Sequence, residues 1–407
     1  MPWRETSPME ERLQFVRDAQ SGLFTITELA EQYAISRRTG YKWLDRYEAD
    51  GLAGLHDRSR RPHHSPTATA DHVIDQVVAL RRRHPRWGPK KLLPVLMRTQ
   101  PQVAWPERST VSALLKEWGL VTPPGRSRTR HPHASVPRAA IAAANELWTT
   151  DFKGEFRTGD GVYCYPLTLR DAFSRFVLRC DALAGCSYEA TRDRFARAFA
   201  TYGLPARIRS DNGSPFAGPG VGHLSQLSAW WIRLGIVPER IAPGHPEQNG
   251  SHEQFHAVLK AATTRPPAPH RGAQQRRFAR FCAEYNQDRP HEALDDAVPA
   301  SCYTASPRPL PPRLPPLAYP GHFDVRRVSS VGHVSWDGQA LFISKALVRE
   351  DVAFEEIDDG IWTVHFATVA LARYDERHRS LHPVGSQTSA GRSAGCAGSA
   401  ADKKTTR

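Results

Sequence analysis

The spacing of apolar residues changes along the chain of 407 residues and divides it into helical and strand-rich regions. Up to about residue 121, apolar side chains recur every three or four positions, which is typical of amphipathic helices. Between residues 145 and 240, short runs such as Phe176, Leu178 and Cys180 alternate with polar residues, and this predicts strands. After residue 318, alternating runs are separated by Asp-Gly turns, which indicates a small β domain. The pattern predicts a multidomain α+β protein.

The central region is predicted to alternate strands with helices. Strands are expected over residues 147–156, 162–169, 174–183, 206–210 and 235–237, and helices over residues 188–202 and 224–234. A further helix is expected from Ser251, which is a favoured type of N-cap residue. On that helix Glu253, His256 and Lys260 are predicted to share a polar face, because residues three or four apart are helical neighbours.

Three acidic residues occupy positions that suit a metal site. Asp151 lies in the first predicted strand, Asp211 follows the fourth strand, and Glu253 lies near the start of the last helix. Mg²⁺ binds one or two carboxylates together with substrate phosphates, and a pair of ions supports displacement at a phosphodiester. We therefore predict Asp151, Asp211 and Glu253 as catalytic residues and as ligands of two Mg²⁺ ions, with Mn²⁺ as a substitute.

Three motifs carry these acids in order along the chain. They are W-x-x-D-F at Trp148 to Phe152, D-N-G-x-x-F at Asp211 to Phe216, and the stretch from Pro246 to His256 around Asn249-Gly250. The region from residue 145 to 294 resembles the catalytic core of the retroviral-integrase superfamily, in particular that of bacterial insertion-sequence transposases. The resemblance implies an RNase H-like α/β fold, with a mixed five-stranded sheet and helices, and a catalytic triad of two Asp and one Glu.

The position of the third acid has an alternative. The spacing common in the family would select Glu247, which lies in a Pro-rich loop. We favour Glu253, because Asn249-Gly250 and the helix that follows fix the register of the motif. The Gly-rich segment 217–223 is then an insertion that accounts for the extra residues.

Residues 1–60 are predicted to form a helix-turn-helix DNA-binding domain. A capping box at Thr25 and Glu28 opens the second helix, and Ser36 caps a third helix over residues 37–48. The N-terminal part of such a helix enters the major groove, and the residues after it lie near phosphates. The predicted DNA-binding residues of this helix are Arg37, Arg38, Thr39, Lys42 and Arg46. An ordinary three-helix bundle is the structural alternative.

The net charge of +13 favours a polyanionic partner, and double-stranded DNA is the simplest one. Much of this charge lies in a segment after the first domain and in a Pro-rich basic linker at 122–143. We predict phosphate contacts from both segments, through Arg58, Arg60, Arg61, Arg126, Arg128 and Arg130. Residues 68–121 are predicted to form a second helical DNA-binding module, with Ser109 as a helix cap and Trp87 and Trp118 in its core.

The second half of the chain continues the core and adds a β domain. The catalytic core is predicted over residues 144–305 and includes a closing helix at 273–286, and a stiff Pro-rich spacer follows at 306–317. Five strand-like runs within residues 318–376 predict an SH3-like β-barrel. Residues 377–407 are rich in Ser, Gly and Ala, and we expect them to be disordered.

The remaining features narrow the class of function. The six cysteines show no C-x-x-C spacing, so we expect neither a zinc module nor a disulfide framework. The chain has no apolar run of membrane-spanning length and no signal peptide, so we expect a cytoplasmic bacterial protein associated with the nucleoid.

The resemblance implies a transposase. Such a protein binds the terminal inverted repeats of an insertion sequence, cleaves the element ends and transfers them into target DNA. It acts as a homodimer or a larger synaptic complex and needs no nucleotide cofactor. Two alternatives remain open at this point, a catalytically inactive sequence-specific DNA-binding regulator or relic, and an RNase H-like nuclease that only hydrolyses.

Overall fold

A computed structural model describes residues 7–58, 68–121, 141–241 and 250–384. It separates into two compact units, one up to Ala70 and one from Asp71 onward, which are described separately. Several predicted residues lie outside the described ranges: Arg60, Arg61, Arg126, Arg128, Arg130 and the alternative third acid Glu247. None of the described helices is both long and apolar enough to cross a membrane.

The first unit is a three-helix domain. Its helices are α1 (Pro8–Gln20), α2 (Ile26–Gln32) and α3 (Arg37–Asp50). The predicted capping box is present, since the Thr25 side chain accepts from the Glu28 main-chain N–H and Glu28 accepts from Thr25. Ser36 caps α3 as predicted. A core of Phe15, Val16, Leu29, Trp43 and Leu55 fixes the packing of the three helices.

The second unit begins with three further helices. They are α4 (Asp71–Arg83), α5 (Pro89–Thr99) and α6 (Arg108–Glu117). Trp87 is buried as predicted, but Trp118 is 47% exposed because α6 ends one residue before it. The prediction that Ser109 caps this helix is also wrong, since α6 begins at Arg108 and Glu107 occupies the N-cap position.

The centre of the second unit is a mixed sheet of six strands. They are β1 (Leu147–Phe152), β2 (Phe156–Arg157), β3 (Tyr163–Asp171), β4 (Val177–Leu183), β5 (Arg207–Ser210) and β6 (Val237–Arg240). The order is β2-β3-β1-β5-β6, and β4 also pairs with β3. The pairs β1–β5 and β5–β6 are parallel, whereas β1–β3 and β3–β4 are antiparallel. The sixth strand, absent from the prediction, is the two-residue β2.

Helices cover both faces of this sheet. They are α7 (Tyr188–Tyr202), α8 (Gln226–Arg233), α9 (Gly250–Thr263) and α10 (Arg271–Gln287). One apolar cluster joins strand residues such as Leu167 to α7 and α8, and a second joins residues such as Cys180 to α9 and α10. The bounds of α7 match the prediction, and the predicted α/β core with helices is confirmed.

The Pro-rich segment after the core packs against it rather than standing free as a spacer. The Ser306 N–H donates to the Tyr202 carbonyl at 2.8 Å. The Arg308 guanidinium donates to the carbonyls of Leu234 and Gly235 at 2.9 and 3.0 Å. These contacts satisfy carbonyls left unpaired where helices end, so the segment is part of the core surface.

The C-terminal region is a β domain, as predicted, but it contains more strands than predicted. They are β7 (Asp324–Arg327), β8 (His333–Trp336), β9 (Gln339–Phe342), β10 (Asp351–Asp358), β11 (Ile361–Phe366), β12 (Val369–Asp375) and β13 (Ser380–Pro383). Five form an antiparallel sheet in the order β13-β12-β11-β10-β7, and β8–β9 form a separate hairpin. Trp336 of the hairpin stacks on Phe354 of the sheet at 4.2 Å, so side-chain packing joins the two parts. Disorder from residue 377 onward is a wrong prediction for β13, where Leu381 packs on the domain core.

Candidate active site

The first two predicted acids meet because their strands are parallel neighbours. β1 and β5 pair in register, with Trp148 opposite Ile208 and Thr149 opposite Arg209. Asp151 lies near the carboxyl end of β1, and Asp211 directly follows β5. The carboxyl ends of parallel strands share one edge of a sheet, and sites in open α/β sheets form at that edge.

The loop after β5 holds the Asp211 carboxylate closely against the backbone. A Cβ at Gly213 would lie 3.0 Å from Asp211 Oδ2, so a side chain there would press on the carboxylate. Phe216 closes the loop from the core side and is 1% exposed. The Asn212 side chain donates to the Ile241 carbonyl at 2.9 Å, which ties the loop to the end of β6. The D-N-G-x-x-F motif therefore shapes one wall of the site.

Helix α9 is held against the sheet by a buried hydroxyl at its centre. The Thr168 hydroxyl donates to the Asp151 carbonyl at 2.9 Å. It also lies 2.7 Å from His252 Nε2 and 2.8 Å from His256 Nε2. A hydroxyl has one proton and two lone pairs, so both imidazoles must donate to it through Nε2–H. This arrangement links the main chain at Asp151 to the two histidines that flank Glu253 along α9.

A buried arginine adds a second link between the sheet and α9. Arg170 is 3% exposed, and its Nη1 donates to the Ser251 carbonyl at 2.9 Å. Its guanidinium lies 4.6 Å from the centre of the Phe255 ring. The prediction that Ser251 caps α9 is wrong, since the helix already includes Gly250 and the Ser251 hydroxyl accepts from Arg175 instead.

These contacts overturn the predicted polar face of α9. Glu253 and Lys260 are exposed, but His256 is 5% exposed and points into the protein with His252. Sequence reasoning missed Thr168, Arg170 and His252 as residues that position the site. The signal was present, because residues 252, 255/256, 259 and 263 continue the buried face at helical spacing.

The carboxylates of the site are buried and close enough to raise the pKa of Asp151. Burial, then the charge of Asp211 and, more weakly, that of Glu253 raise the pKa of Asp151 to about 7, although the Phe152 N–H and Lys153 oppose the shift. Burial also raises the pKa of Asp211, against a hydrogen bond from the Gly213 N–H. The site therefore disfavours its own negative charge, which is the condition that a bound cation relieves.

The contact between His256 and Asp151 is not an ion pair at neutral pH. His256 Nδ1 lies 3.5 Å from Asp151 Oδ2. Burial, with the charges of Lys153 and Arg170, lowers the pKa of His256 to about 3. The imidazole is neutral at pH 7, and the Thr168 contacts leave its Nδ1 as an acceptor. Nδ1 and an ionised Asp151 Oδ2 are both acceptors, so His256 neither hydrogen-bonds to the Asp151 carboxylate nor neutralises it.

The donor set fits a hard divalent cation. Asp211 Oδ1 is buried and has no hydrogen-bond partner among the described residues. The oxygens available from Asp151, Asp211 and Glu253 are carboxylate oxygens, which Mg²⁺ prefers. In the described ranges, no three His, Cys, Asp or Glu side chains are already placed to hold one ion together. Asp151 and Asp211 are the two carboxylates joined by adjacent strands, and Glu253 stands on the exposed side of α9.

The predicted DNA-binding residues of the first unit differ in their surroundings. Arg37 and Arg38 are exposed at the start of α3. Thr39 lies 2.9 Å from the Ser36 hydroxyl and takes part in the cap. The cations of Lys42 and Arg46 lie 4.4 and 5.1 Å from the centre of the Trp43 ring. Arg58 pairs with Asp50 at 2.6 Å.

Comparison with known proteins gives matches along most of the chain. Two integrase core domain descriptions match residues 142–246 and 234–299. A helix-turn-helix domain matches residues 11–63, and a homeodomain-like domain matches residues 39–115. The C-terminal domain of IS481 family transposases matches residues 323–382. The fold and these matches define the class as integrase-core proteins with helix-turn-helix DNA-binding domains.

Curated relatives come from bacterial insertion elements. An uncharacterized 39.2 kDa protein of insertion element IS476 from Xanthomonas euvesicatoria is 26% identical over 278 residues, which cover 68% of this chain and 77% of the relative. An uncharacterized 31.7 kDa protein of IS407 from Burkholderia multivorans is 27% identical over 195 residues, 46% of this chain and 65% of the relative. The chain is therefore similar to insertion-element proteins, and the domains that it matches include an integrase core and the C-terminal domain of IS481 family transposases.

Solved integrases are also similar in part. The HTLV-2 integrase catalytic core domain in complex with magnesium is 15% identical, with a TM-score of 0.32 over 39% of this chain and 97% of that one. A chain of the simian T-cell lymphotropic virus intasome is 13% identical, with a TM-score of 0.36 over 76% of this chain and 96% of that one.

Proposed function

We propose that this transposase cleaves the ends of its insertion sequence and joins them to target DNA, with Asp151, Asp211 and Glu253 as the catalytic residues. The observation that carries the proposal is the edge shared by the parallel strands β1 and β5. Asp151 and Asp211 both lie at this edge, and Asp211 Oδ1 lacks a hydrogen-bond partner among the described residues. Glu253 stands on α9, which the buried Thr168 hydroxyl ties to the same strand end.

Asp151, Asp211 and Glu253 would hold two Mg²⁺ ions, or Mn²⁺ in their place. Such a pair of ions supplies Lewis acidity toward the attacking and leaving oxygens of a phosphodiester. The protein residues bind and orient. The Thr168 contacts fix the main chain at Asp151, the loop of Gly213 and Phe216 aims Asp211, and the Arg170 link to Ser251 sets the position of α9.

The proposed reaction has two steps. In the first, water attacks a phosphodiester at the element end, the P–O bond to the 3′ oxygen breaks, and that oxygen leaves as a 3′-hydroxyl. In the second, this hydroxyl attacks a target phosphodiester and displaces its 3′ oxygen. One phosphodiester bond forms as another breaks in the second step, so no nucleotide cofactor is needed.

The flanking domains would bring the DNA to the carboxylates. We assign the reading of the terminal inverted repeat to Arg37, Arg38 and Thr39 of α3, and phosphate contacts to Lys42 and Arg46. Phosphate contacts are assigned to Arg58, Arg60, Arg61, Arg126, Arg128 and Arg130. An element has two ends that must be held together, so we propose a homodimer or a larger complex. The work on chromosomal DNA would take place in the bacterial cytoplasm.

The test combines end cleavage and joining in one reaction. Purified full-length protein is incubated with Mg²⁺ or Mn²⁺, a labelled duplex carrying the end of the DNA that flanks this gene, and a supercoiled plasmid. We expect a nicked end and a joined product from the wild type, and neither from Glu253→Gln. Glu247→Gln is the matched control and should retain both products.

Each other outcome would support a different function or a different third acid. Specific binding without cleavage in either metal would favour an inactive DNA-binding regulator. Cleavage without any joined product would favour a nuclease that only hydrolyses. Loss of activity in Glu247→Gln, but not in Glu253→Gln, would move the third acid to Glu247.

A further inference from the structure

A cleft of about 750 Å³ opens beside the exposed side of α9. Its walls come from α9, from the segment that follows α10, and from α5 of the second helical module. Four cationic side chains line it, against the two carboxylates of Glu253 and Glu292: Lys91, Arg170, Arg175 and Arg289. The cleft is therefore a basic site at the edge of the proposed active site.

Three nitrogens on residues of this cleft are buried without a hydrogen-bond partner in the described parts of the chain. They are Nε of Arg170, Nε of Arg289 and Nε2 of His291. A buried polar atom without a partner destabilises the protein, and more so when the group is charged. Arg170 is 3% exposed, so water cannot readily compensate it. The Nε–H groups of Arg170 and Arg289 can only donate, so the cleft is short of an acceptor.

Lys91 shows the same shortage of negative charge. Its ammonium donates to the Pro290 carbonyl at 2.9 Å. Burial, and then the charge of Arg289, lower the pKa of Lys91 to about 8, against smaller opposing effects of Asp296 and Glu292. The neighbouring Lys90 differs, since its side chain is 63% exposed and pairs with Glu292 at 3.2 Å. Lys91 is thus held among like charges that an anion would offset.

The aromatic contacts of the arginines explain only part of the arrangement. Arg170 lies over Phe255 at 4.6 Å, and Arg289 lies 5.7 Å from the centre of the Tyr285 ring. These ring contacts give neither Nε–H a hydrogen-bond acceptor among the described residues. Lys91 has no cation–π contact among those found in the described residues. Its hydrogen bond to the Pro290 carbonyl uses one of the three N–H donors of the ammonium.

We propose that this cleft binds one backbone phosphate of the DNA strand whose neighbouring phosphodiester reacts at the carboxylates. Glu253 lines the cleft as well as the proposed active site, so the two phosphates would belong to one strand. The assignment rests on the proposed function. In this proposal, Lys91 of α5 helps to position the reacting DNA strand.

The test maps single phosphates on the labelled end duplex with full-length protein in EDTA, where no cleavage occurs. Phosphates are ethylated at random, and bound and free DNA are compared. We expect one position near the cleavage site whose ethylation weakens binding of the wild type and of Lys90→Gln, but not of Lys91→Gln. Lys91→Gln should also reduce the slope of log affinity against log salt by about 0.9, the value for one phosphate contact.

Further variants keep the result interpretable. Lys91→Arg should restore the lost position, because it keeps the charge, and thermal melting of each variant checks that it folds. If Lys91→Gln and the wild type show the same ethylated positions and salt slope, the cleft does not bind DNA phosphate, although cleavage and joining by the wild type would leave the proposed function standing. If the wild type binds no duplex, the proposed function itself fails.

A melting experiment distinguishes a DNA phosphate from a free anion as the ligand of the cleft. Inorganic phosphate is compared with chloride at equal ionic strength. A rise in melting temperature with phosphate that depends on Lys91, together with unchanged ethylation positions, would assign the cleft to a free anion and overturn the proposal. Under the proposal, duplex DNA gives the Lys91-dependent effect.

Discussion

The core meets its two neighbours in the second unit through interfaces of opposite character. The helical module α4–α6 contacts the core through hydrogen bonds and ion pairs: His84 with Glu284, Lys90 with Glu292, Lys91 with the Pro290 carbonyl, Arg98 with the Asp288 carbonyl, and Arg108 with Asp296. The C-terminal β domain instead shares one apolar cluster with the core, in which Leu224, Ala229 and Ile232 pack among its strands. The first interface is largely polar, whereas the second is an apolar core shared by the two domains.

The difference predicts how each interface responds to perturbation. Exposed ion pairs contribute about 0–1 kcal/mol each and are screened by salt. Full burial of a Leu or Ile side chain is worth about 1.5–3 kcal/mol. A cleft of about 480 Å³ also lies between Trp87 of the module and Phe281 of the core, whose apolar clusters remain separate. The helical module can therefore separate from the core far more easily than the β domain can.

The segment 217–223, predicted as an insertion, belongs to the apolar interface. The Val221 N–H donates to the Ile343 carbonyl at 3.0 Å. Gly220 has φ +119°, and a Cβ there would lie 3.1 Å from the same carbonyl. Arg233 of α8 pairs with Glu350 beside it. The extra residues between the second and third acids thus attach the β domain to the core.

The largest expected effect is at the apolar interface. Ile232→Ala removes a side chain that is 3% exposed and lies between α8 and the β domain. We expect a loss of about 2–5 kcal/mol in the free energy of unfolding, because a buried cavity replaces the side chain. Denaturant unfolding measures the loss. Val237→Ala, at a 45% exposed position near by, is the control and should change stability by less than about 0.5 kcal/mol.

An effect of similar size is expected where polar contacts are buried. Thr168→Val keeps the shape of a side chain that is fully buried but leaves two imidazole N–H groups without their acceptor and removes the side-chain hydrogen bond to the Asp151 carbonyl. Each such group is unfavourable by about 1–3 kcal/mol. We expect slower single-turnover end cleavage and a lower melting temperature.

Thr168→Ser should restore both properties, because it keeps the hydroxyl. If Thr168→Val cleaves DNA as fast as the wild type, the hydroxyl does not position the site. The two variants also test the comparison between interfaces. A polar contact of the helical module should contribute little to stability because it is exposed, whereas the contacts of Thr168 should contribute much because they are buried.

The core was predictable from sequence wherever one local signal decided the structure. The bounds of α7 follow from helical periodicity and from the serine at its N-cap. β1 follows from its apolar run, and β5 from the alternation of Ile208 with two arginines. The shared edge of Asp151 and Asp211 needed only the expectation that their strands are parallel neighbours. These features depend on short stretches of chain and on general rules of sheet packing.

Contacts between distant segments were not predictable in the same way. The spacing of residues 252, 256 and 259 indicated a buried face, but not that Thr168 would supply its partner hydroxyl. Similarly, α8 is buried from Leu227 to Ile232, a run that is apolar except for Ser228 and that indicates burial on all sides. The sequence did not say that the β domain covers its second side. The partner of a buried face is set by tertiary packing, which a single sequence does not encode locally.

Acid should weaken the region where α5 meets the core, through His291. Burial, with the charges of Lys91 and Arg289, lowers the pKa of His291 to about 3, against about 6.5 in an unfolded chain. The unfolded state therefore binds more protons between these values, so the stability from His291 is present above pH 6.5 and is lost as pH falls toward 3.

From pH 7.5 to pH 5, this one group should reduce the free energy of unfolding by at most about 2 kcal/mol. Denaturant unfolding of His291→Gln should lose less stability than the wild type over the same pH range, by that amount. Equal pH dependence of the two proteins would show that His291 is not buried as a neutral ring. Ile232→Ala, at the apolar interface, should keep the pH dependence of the wild type.

The smallest effect is expected at the exposed pair of Lys90 and Glu292. Their side chains are 63% and 78% exposed, so Glu292→Gln should change the free energy of unfolding by less than about 0.5 kcal/mol. Raising the salt concentration should speed hydrogen exchange in α5 of the wild type while leaving the β domain unchanged, because salt screens only the polar interface. Equal responses of the two regions would contradict the comparison.

Glu292 also lines the basic cleft. Glu292→Gln should therefore tighten DNA binding while the free energy of unfolding hardly changes. A pair with a purely structural role would not affect DNA binding.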